Sequence, residues 1–298
     1  MTSISLSSTP LKQPIKRRVW RNFMSHKLAV ISGGVLILLM LTAIFAPVLA
    51  PYDPYDLAMT EDGLLEFEAP PSPVFLLGTD AIGRDVLSRL IFGGRISLTI
   101  GLVSASIAIV LGSLLGVLAG YFGGLADALL SRFADAVSTF PALFLILTVS
   151  SFVRPSIFNV MAVIGLLSWM PTFRLMRAEV LRLSHVDFIE GAHALGAGNI
   201  RIMLQHLMPN AIAPIIVQAT LGVAEAILTE SALSFLGLGV QQPIASWGNM
   251  LADARNFTVL QSQPWLWVPP GAAIFITVLA INFMGDGLRD ALNPRQGS

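Results

Sequence analysis

The stretch Glu190-Gly-Ala-His-Ala-Leu-Gly196 is a polar island between two long apolar segments, and Ile200, His206 and Met208-Pro-Asn210 follow it. A membrane protein that suspends a short helix on its water side, with apolar spans on both flanks, presents that helix to a soluble partner. The pattern therefore predicts a membrane protein with an element that couples it to a source of energy.

Composition gives the class of protein independently. Hydrophobic residues make up 54% and charged residues 12% of the 298 residues, and the mean hydropathy is +0.74. Soluble domains carry about 25% charged residues, so this composition indicates an integral membrane protein. The formal net charge is zero, which gives no reason to expect a nucleic acid partner. The chain has no cysteine, which excludes disulfides, thiolate catalysis and cysteine metal sites.

Six apolar runs approach or exceed the roughly 20 residues needed to cross the hydrocarbon core. They cover residues 28–50, 96–119, 134–152, 157–173, 211–236 and 268–284. The runs lack the alternation of β-strands, and unsatisfied backbone groups cannot face lipid. The predicted fold is therefore all-α, with six transmembrane helices.

Charged residues beside the first span predict its orientation. The basic residues before it are Lys12, Lys16, Arg17, Arg18, Arg21 and Lys27. The acidic residues after it are Asp53, Asp56, Glu61, Asp62, Glu66 and Glu68. Because cytoplasmic segments carry the excess of lysine and arginine, the N-terminus is predicted to be cytoplasmic. Six crossings return the C-terminus, with Arg289 and Arg295, to the same side.

The predicted topology divides the chain into five segments. They are a basic cytoplasmic segment 1–27, a first transmembrane helix 28–50, an extracytoplasmic segment 51–95, a transmembrane domain 96–288 and a cytoplasmic tail 289–298. The polar island lies in a loop, 174–210, that this count also places in the cytoplasm. The first span is longer than the apolar core of a cleaved signal peptide, so it is interpreted as an uncleaved anchor.

The extracytoplasmic segment contains features of two kinds. Its prolines indicate a linker with little regular structure. Arg84, Arg89 and Arg95 do not fit the positive-inside pattern, and we expect an amphipathic stretch lying along the outer membrane surface to hold them.

Little catalytic chemistry is available to this chain. A phosphate-binding P-loop needs a lysine after its glycine-rich turn, yet the last lysine is Lys27. The four histidines lie outside the spans without metal-ligand spacing, so no metal site is predicted. Glu225 and Glu230 lie inside the fifth span, where a charge is costly, and are candidates for a pathway or the bundle interior. The alternative is a protonated or hydrogen-bonded structural glutamate, which suits Glu230 better.

Two helical patterns predict local packing. Gly112, Gly116 and Gly120 recur at every fourth residue, which places three small residues on one helix face for a close neighbour. In the island, Ser184 to Asp187 matches a capping box ahead of a helix at 186–195. Gly196 stands where a left-handed C-terminal cap belongs.

A second short helix is predicted after the island, capped by Asn199 and ending before Pro209. The island helix offers little apolar area to lipid, which favours docking to a protein.

The island resembles the signature of the inner-membrane permeases of bacterial ATP-binding-cassette importers. That signature is Glu-Ala-Ala, three residues and glycine, then about nine residues to Ile-x-Leu-Pro on the cytoplasmic side. The matching residues are Glu190, Ala192, Gly196, Leu207 and Pro209. Gly191 and Met208 depart from the usual alanine and leucine.

Further motifs resemble the C-type permease subunit of the peptide/nickel/opine importers. They are Leu77-Gly-Thr-Asp80, Gly83-Arg-Asp-Val-Leu-Ser-Arg89, Gly94-Arg-Ile-Ser97, Leu233-Ser-Phe-Leu-Gly-Leu-Gly239, Ser246-Trp-Gly-Asn249, Asn282 and Gly285-Asp-Gly-Leu-Arg-Asp290. Several long motifs in the right order cover the chain from Lys27 to Arg295, which makes the resemblance specific.

The resemblance implies a type I importer permease fold in a bacterial inner membrane, with a cytoplasmic coupling helix. The residues it assigns to coupling are Glu190, Gly191, Ala192, His193, Leu195 and Gly196. It implies a homologous B-type permease, two cytoplasmic ATPase subunits, an extracytoplasmic binding protein and membrane lipid as partners. ATP and Mg²⁺ belong to the ATPase subunits, and the chain binds no cofactor and is not itself an enzyme.

The expected substrates are di- or oligopeptides. Nickel or an opine is the alternative within the same family. A proton-coupled secondary transporter using Glu225 and Glu230 is an alternative of a different class, and it leaves the polar island unexplained.

Overall fold

The computed structural model describes residues 15–59 and 65–292. Lys12, Glu61, Asp62 and Arg295, on which the predicted orientation partly rests, lie outside the described residues. Of the predicted segment 1–27, the structure therefore describes residues 15–27. Of the predicted segment 289–298, it describes residues 289–292.

Helices make up nearly all of the regular structure. In chain order they are α1 (Ile15–Ser25), α2 (Lys27–Ile44), α3 (Ala46–Leu49), α4 (Val86–Phe122), α5 (Gly124–Ser138), α6 (Ala142–Phe152), α7 (Ile157–Leu167), α8 (Met170–Leu183), α9 (Asp187–Ala194), α10 (Asn199–Arg201), a π-helical turn (Ile202–Leu207), α11 (Met208–Phe235), α12 (Trp247–Leu251), a 3₁₀ turn (Ala252–Arg255), α13 (Phe257–Ser262) and α14 (Pro264–Leu292). Across residues 15–59 and 65–292 there is no strand beyond two isolated bridges, which confirms the all-α class.

Four continuous helical stretches are long and apolar enough to cross a membrane. They are Lys27–Ile44, Val86–Phe122, Asn199–Phe235 and Pro264–Leu292. The predicted third and fourth spans are not single straight helices. Gly124–Ser138 and Ala142–Phe152 meet at 86°, and Ile157–Leu167 and Met170–Leu183 meet at 41°. The described part of the chain has six spans if each bent pair counts as one.

Proline explains both bends. Pro141 immediately precedes α6, and Pro171 stands in the first turn of α8. A proline has no N–H for the helical ladder and its ring clashes with the preceding turn, so a new helix starts at each position. The run of apolar residues continues through the bend, which is why hydropathy alone predicts one span.

α4 is the central helix and is longer than predicted. It has 37 residues, which corresponds to about 55 Å at 1.5 Å per residue, beyond the hydrocarbon thickness of about 30 Å. It begins at Val86 because the Asp85 side chain accepts a hydrogen bond from the Ser88 N–H at 2.7 Å. The predicted start at residue 96 is therefore about three turns too late.

The predicted glycine face is confirmed as the contact between α4 and α8. A Cβ atom at Gly112 would stand 2.6 Å from the Trp169 carbonyl oxygen, and one at Gly116 would stand 2.7 Å from Met176 Cβ. A Cβ at Gly120 would stand 2.9 Å from Val180 Cβ. The two backbones approach so closely because these residues have no side chain.

The segment between α3 and α4 has little regular structure, as predicted, but the prediction for Arg84 in this segment and for Arg89 in the first turn of α4 is wrong. Arg84 and Arg89 are buried instead of lying along a membrane surface. The Asp80 carboxylate lies 2.8 Å from Arg84 Nη2 and 3.3 Å from Arg89 Nε. Burial of an arginine is tolerated when its charge is paired, and Asp80 supplies that charge. Arg95 is exposed.

Candidate functional site

The polar island forms a short helix, α9, close to the predicted bounds. It runs from Asp187 to Ala194, against the predicted 186–195. The predicted capping box is wrong, because Val186 is the N-cap residue and no side chain caps the helix. Ser184 Oγ instead donates to the Val180 carbonyl oxygen at 2.7 Å and so continues the end of α8.

The C-terminus of α9 has the predicted left-handed cap. Gly196 has a φ of +78°. Its N–H donates to the His193 carbonyl oxygen at 2.9 Å, and the Ala197 N–H donates to the Ala192 carbonyl oxygen at 3.0 Å. These are the bonds of a Schellman motif, which satisfies the last carbonyl groups of a helix. The prediction for Gly196 is confirmed.

One side of α9 is anchored in a buried apolar cluster. Ile189 is 2% exposed and belongs to the same cluster as Val117 of α4, Val180 of α8 and Leu207 of the π-helical turn. Ala192 packs against the edge of this cluster. The position of α9 is therefore fixed by the ends of α4 and α8 and by the π-helical turn that leads into α11.

An aromatic contact connects α4 to α9, and a hydrogen bond connects α4 to α10. The His193 ring stacks on Tyr121, with ring centroids 6.2 Å apart and planes inclined by 8°. The Tyr121 hydroxyl donates to Asn199 Oδ1 at 2.9 Å. The prediction that Asn199 caps the second helix is wrong, because Gly198 holds that position. Sequence reasoning missed Tyr121, which is 72 residues from His193 in the chain.

The other side of α9 faces solvent. Glu190, Gly191 and His193 are exposed, and Leu195 is 90% exposed. Ile200, just beyond the helix, is 70% exposed. A carboxylate and a histidine on this fixed short helix, with two aliphatic side chains just beyond its C-terminal end, form a surface that can bind another protein.

The prediction that the helix after the island ends before Pro209 is wrong. It continues through the π-helical turn into α11, giving a helical stretch of Asn199–Phe235. Pro209 is in the first turn of α11. The π-helical turn is wider than a turn of α-helix and lies just before Pro209, whose nitrogen has no hydrogen to donate. The helix therefore continues through this region without the backbone hydrogen bond that Pro209 cannot make.

Two arginines of α8 form ion pairs with α5. Arg177 Nη2 donates to Asp127 Oδ2 at 2.6 Å, and its Nε bonds to the other oxygen of that carboxylate. Arg174 Nη2 lies 3.2 Å from Asp135 Oδ1 and also donates to Ser138 Oγ. These aspartates were missed by sequence reasoning. Asp127 and Asp135 are eight residues apart, which is close to two helical turns. This spacing is the sequence signal that both lie on one face of a helix.

The structure separates the two glutamates of the fifth span. Glu230 is completely buried, and its Oε1 accepts hydrogen bonds from Ser234 Oγ at 2.7 Å and Ser246 Oγ at 2.8 Å. Its Oε2 accepts a hydrogen bond from Ser97 Oγ at 3.1 Å. Glu225 is exposed and lines a small cavity between α4, α7, α8 and α11.

The serines around Glu230 belong to sequence motifs that are far apart. Ser97 also accepts a hydrogen bond from the Trp247 N–H at 3.1 Å, and Trp247 Nε1 donates to the Leu90 carbonyl oxygen at 3.0 Å. Ser246 and Asn249 form a capping box at the start of α12. The motifs at 94–97, 233–239 and 246–249 therefore converge on one carboxylate. We define Glu230, Ser97, Ser234 and Ser246 as the Glu230 cluster.

α4 connects the Glu230 cluster to α9. Ser97 is near its N-terminal end and Tyr121 near its C-terminal end, 24 positions apart in the sequence. At 1.5 Å per residue this separates them by about 36 Å, slightly more than the hydrocarbon thickness. The buried polar cluster and the exposed helix therefore lie toward opposite ends of the helical bundle.

Two family models match the chain. Residues 112–298 match the family described as "Binding-protein-dependent transport system inner membrane component". Residues 15–71 match the "N-terminal TM domain of oligopeptide transport permease C".

Curated relatives match nearly the whole chain. The di/tripeptide transport system permease protein DppC of Pseudomonas aeruginosa (strain UCBPP-PA14) is 43% identical, over 96% of this chain and 93% of the relative. The dipeptide transport system permease protein DppC of Alkalihalophilus pseudofirmus is 40% identical, over 95% and 90%. The glutathione transport system permease protein GsiD of Pectobacterium atrosepticum is 38% identical, over 94% and 91%.

A solved structure shares the fold. It is an inward-facing conformation of the MetNI methionine ABC transporter, similar with a TM-score of 0.54 at 18% identity. The similarity covers 69% of this chain and 96% of that chain.

Proposed function

Because the chain belongs to the family of binding-protein-dependent transport system inner membrane components, we propose that it is one of two permease subunits of an ATP-binding-cassette importer. It forms half of a path for di- or oligopeptides. The peptide substrate is supported by relatives about 40% identical over most of the chain that are named as dipeptide or di/tripeptide permeases.

The observation that carries the coupling assignment is the two-sided character of α9. Ile189 is buried in the apolar cluster that also holds residues from the ends of α4 and α8 and from the π-helical turn, while Glu190 and Leu195 face solvent. A soluble ATPase subunit that grips the exposed side moves α9 as a unit. Ile189 transmits that movement to α4 and α8 because closely packed apolar side chains deform little.

The residues that we assign to this docking surface are Glu190, Gly191, Ala192, His193, Leu195 and Gly196. Gly196 acts through its left-handed backbone, which fixes the end of α9. Ala192 packs against the cluster that holds Ile189, and the other four residues are exposed.

The proposed topology has six spans in a bacterial inner membrane, with each bent helix pair counted as one span. Both termini are cytoplasmic. The segments are those predicted from hydropathy, namely 1–27, 28–50, 51–95, 96–288 with the coupling loop 174–210, and 289–298. α4 begins at Val86, inside the extracytoplasmic segment 51–95. The partners are a homologous permease, two cytoplasmic ATPase subunits that bind ATP and Mg²⁺, and an extracytoplasmic binding protein.

Reconstitution in proteoliposomes tests this function. The chain alone is expected neither to hydrolyse ATP nor to accumulate a dipeptide. Adding the second permease, the ATPase subunits and the binding protein is expected to give ATP-dependent dipeptide uptake. Proton-driven uptake by the isolated chain would refute the proposal. Uptake of nickel or an opine without peptide by the full assembly would refute the substrate assignment alone.

A further inference from the structure

A cavity of about 130 Å³ lies at the turn between α6 and α7. The end of α6 contributes Ser150 and Ser151, the turn contributes Arg154, and α7 contributes Asn159. The segment after α11 closes the other side with Leu238 and Gln241. In the proposed topology this turn lies on the extracytoplasmic side, at the end of the bundle opposite α9.

The walls of this cavity favour an anion. Arg154 is exposed and lines it, and none of the described lining residues is acidic. Asn159 Nδ2 donates to the Arg154 carbonyl oxygen at 2.8 Å, which fixes the turn that carries the guanidinium group. The cavity also lies at the N-terminus of α7, where Ser156 is the N-cap residue and no side chain of residues 15–59 or 65–292 caps the helix. The first N–H groups of such a helix attract negative charge.

A buried hydroxyl gives an independent indication of a ligand. Ser150 Oγ is inaccessible to solvent and has no hydrogen-bond partner among the described residues, although Ser150 lines the cavity. A buried polar atom without a partner is costly, so a rotation of the Ser150 side chain toward the cavity would give its hydroxyl a partner in a bound group.

We propose that this cavity binds the C-terminal carboxylate of the peptide as it passes from the binding protein into the permease. The inference rests on the proposed function and topology. An apolar cavity of about 150 Å³ holds one benzene molecule, so this cavity holds one end of a peptide and leaves the rest in the path. Arg154 supplies the charge and the N-terminus of α7 supplies hydrogen-bond donors. The Ser150 hydroxyl supplies a further donor once its side chain rotates toward the ligand.

The experiment compares two peptides in the complete reconstituted importer. One is a dipeptide with a free C-terminal carboxylate and the other is the same dipeptide as its C-terminal amide. Each is supplied at a concentration that saturates the binding protein, checked by calorimetry on the binding protein alone. The variants are Arg154→Gln, Arg154→Lys, and Arg95→Gln as the matched control, since Arg95 is exposed and does not line the cavity.

Arg154→Gln is expected to lower the uptake rate of the free-carboxylate peptide roughly threefold to fivefold, as suits an ion pair at an exposed arginine. The uptake of the amide should be unchanged, and Arg154→Lys and Arg95→Gln should behave as the unmodified chain does. Equal loss for both peptides would overturn the proposal and assign Arg154 to a carboxylate of the binding protein. Unchanged uptake of both would also overturn it. Failure of the unmodified importer to take up either peptide would instead refute the proposed function.

Discussion

Ser97 Oγ of α4 donates a hydrogen bond to Glu230 Oε2 of α11 at 3.1 Å, in a completely buried site. The same serine accepts the Trp247 N–H, so one side chain joins α4, α11 and the start of α12. All the partners of the carboxylate in this cluster are serine hydroxyls, and no basic side chain approaches it in the described structure. The structural interpretation of Glu230 agrees with this arrangement, while Glu225 keeps its exposed position beside a cavity.

Removing one donor of the Glu230 cluster should destabilise the protein. Ser97→Ala leaves Glu230 Oε2 and the Trp247 N–H without partners, at a cost of about 1–3 kcal/mol. Ser106→Ala is the control in the same helix, because the exposed Ser106 hydroxyl bonds, within the part of the chain that the structure describes, only to the Leu102 carbonyl oxygen of its own helix. Thermal unfolding in detergent, followed by tryptophan fluorescence, should show a lower Tm for Ser97→Ala alone. Equal values for both variants would contradict the role of the cluster.

Adding a methyl group to the glycine face of α4 should separate α4 from α8. In Gly116→Ala the new Cβ would lie 2.7 Å from Met176 Cβ and 2.8 Å from the Phe173 carbonyl oxygen. Overpacking of this kind costs about 1–3 kcal/mol. A Cβ at Gly33 of α2 meets no atom of the described residues within 4 Å, so Gly33→Ala should be neutral or stabilising. If Gly116→Ala and Gly33→Ala have the same Tm, the close approach of α4 to α8 is not needed for stability.

The backbone at Gly196 should matter more than the space around it. A Cβ there meets no atom within 4 Å, but its φ is +78°. Gly196→Val therefore costs about 1–2 kcal/mol of local strain and should displace the end of α9. The expected result is normal insertion with weaker copurification of the ATPase subunits and loss of transport. Gly198→Val is the control, because Gly198 has a φ of −70° and also has free space. Normal transport by Gly196→Val would contradict the coupling role.

Cysteine labelling should place α9 and α13 on opposite sides of the membrane. The chain has no cysteine, so each introduced thiol is unique. His185 precedes α9 and Gln261 lies in α13, and both are exposed. A membrane-impermeant reagent should label Gln261→Cys in intact cells and His185→Cys only after the cells are opened. The reverse pattern, or labelling of both in intact cells, would overturn the six-span topology.

Asp253 should make stability depend on pH. Burial raises the pKa of its carboxyl, as does the nearby Asp80, while Arg89, Arg84 and Arg255 act in the opposite direction. A carboxyl whose folded pKa is raised binds protons more tightly when folded, so stability is lost as pH rises from about 4 through the raised value. The Tm of Asp253→Asn, relative to the unmodified chain, should therefore rise from pH 4 to pH 7. A difference that is constant with pH would contradict this assignment.

The polar island shows which structural features can be predicted from residues close together in the sequence. The bounds of α9 and the left-handed Gly196 follow from residues within one or two helical turns of each other. The capping roles of Ser184 and Asn199 were predicted wrongly because each side chain has a competing partner. For Ser184 this is the Val180 carbonyl oxygen, and for Asn199 it is the Tyr121 hydroxyl, which lies 78 positions away. The bond from Tyr121 joins residues far apart in the sequence, so a local pattern does not show it. The bond from Ser184 is local, and there the preceding helical turn competes with the cap for the same hydroxyl.

The sequence alone determined the membrane class, the helical fold, the approximate spans and the position of the exposed helix. These depend on hydropathy and on local backbone preferences, which neighbouring residues set. Only the tertiary structure decided that Arg84 and Arg89 are buried against Asp80 and that Glu230 is surrounded by three serines. Burial and charge pairing depend on which distant segments meet. Those contacts are set by the packing of the whole helical bundle.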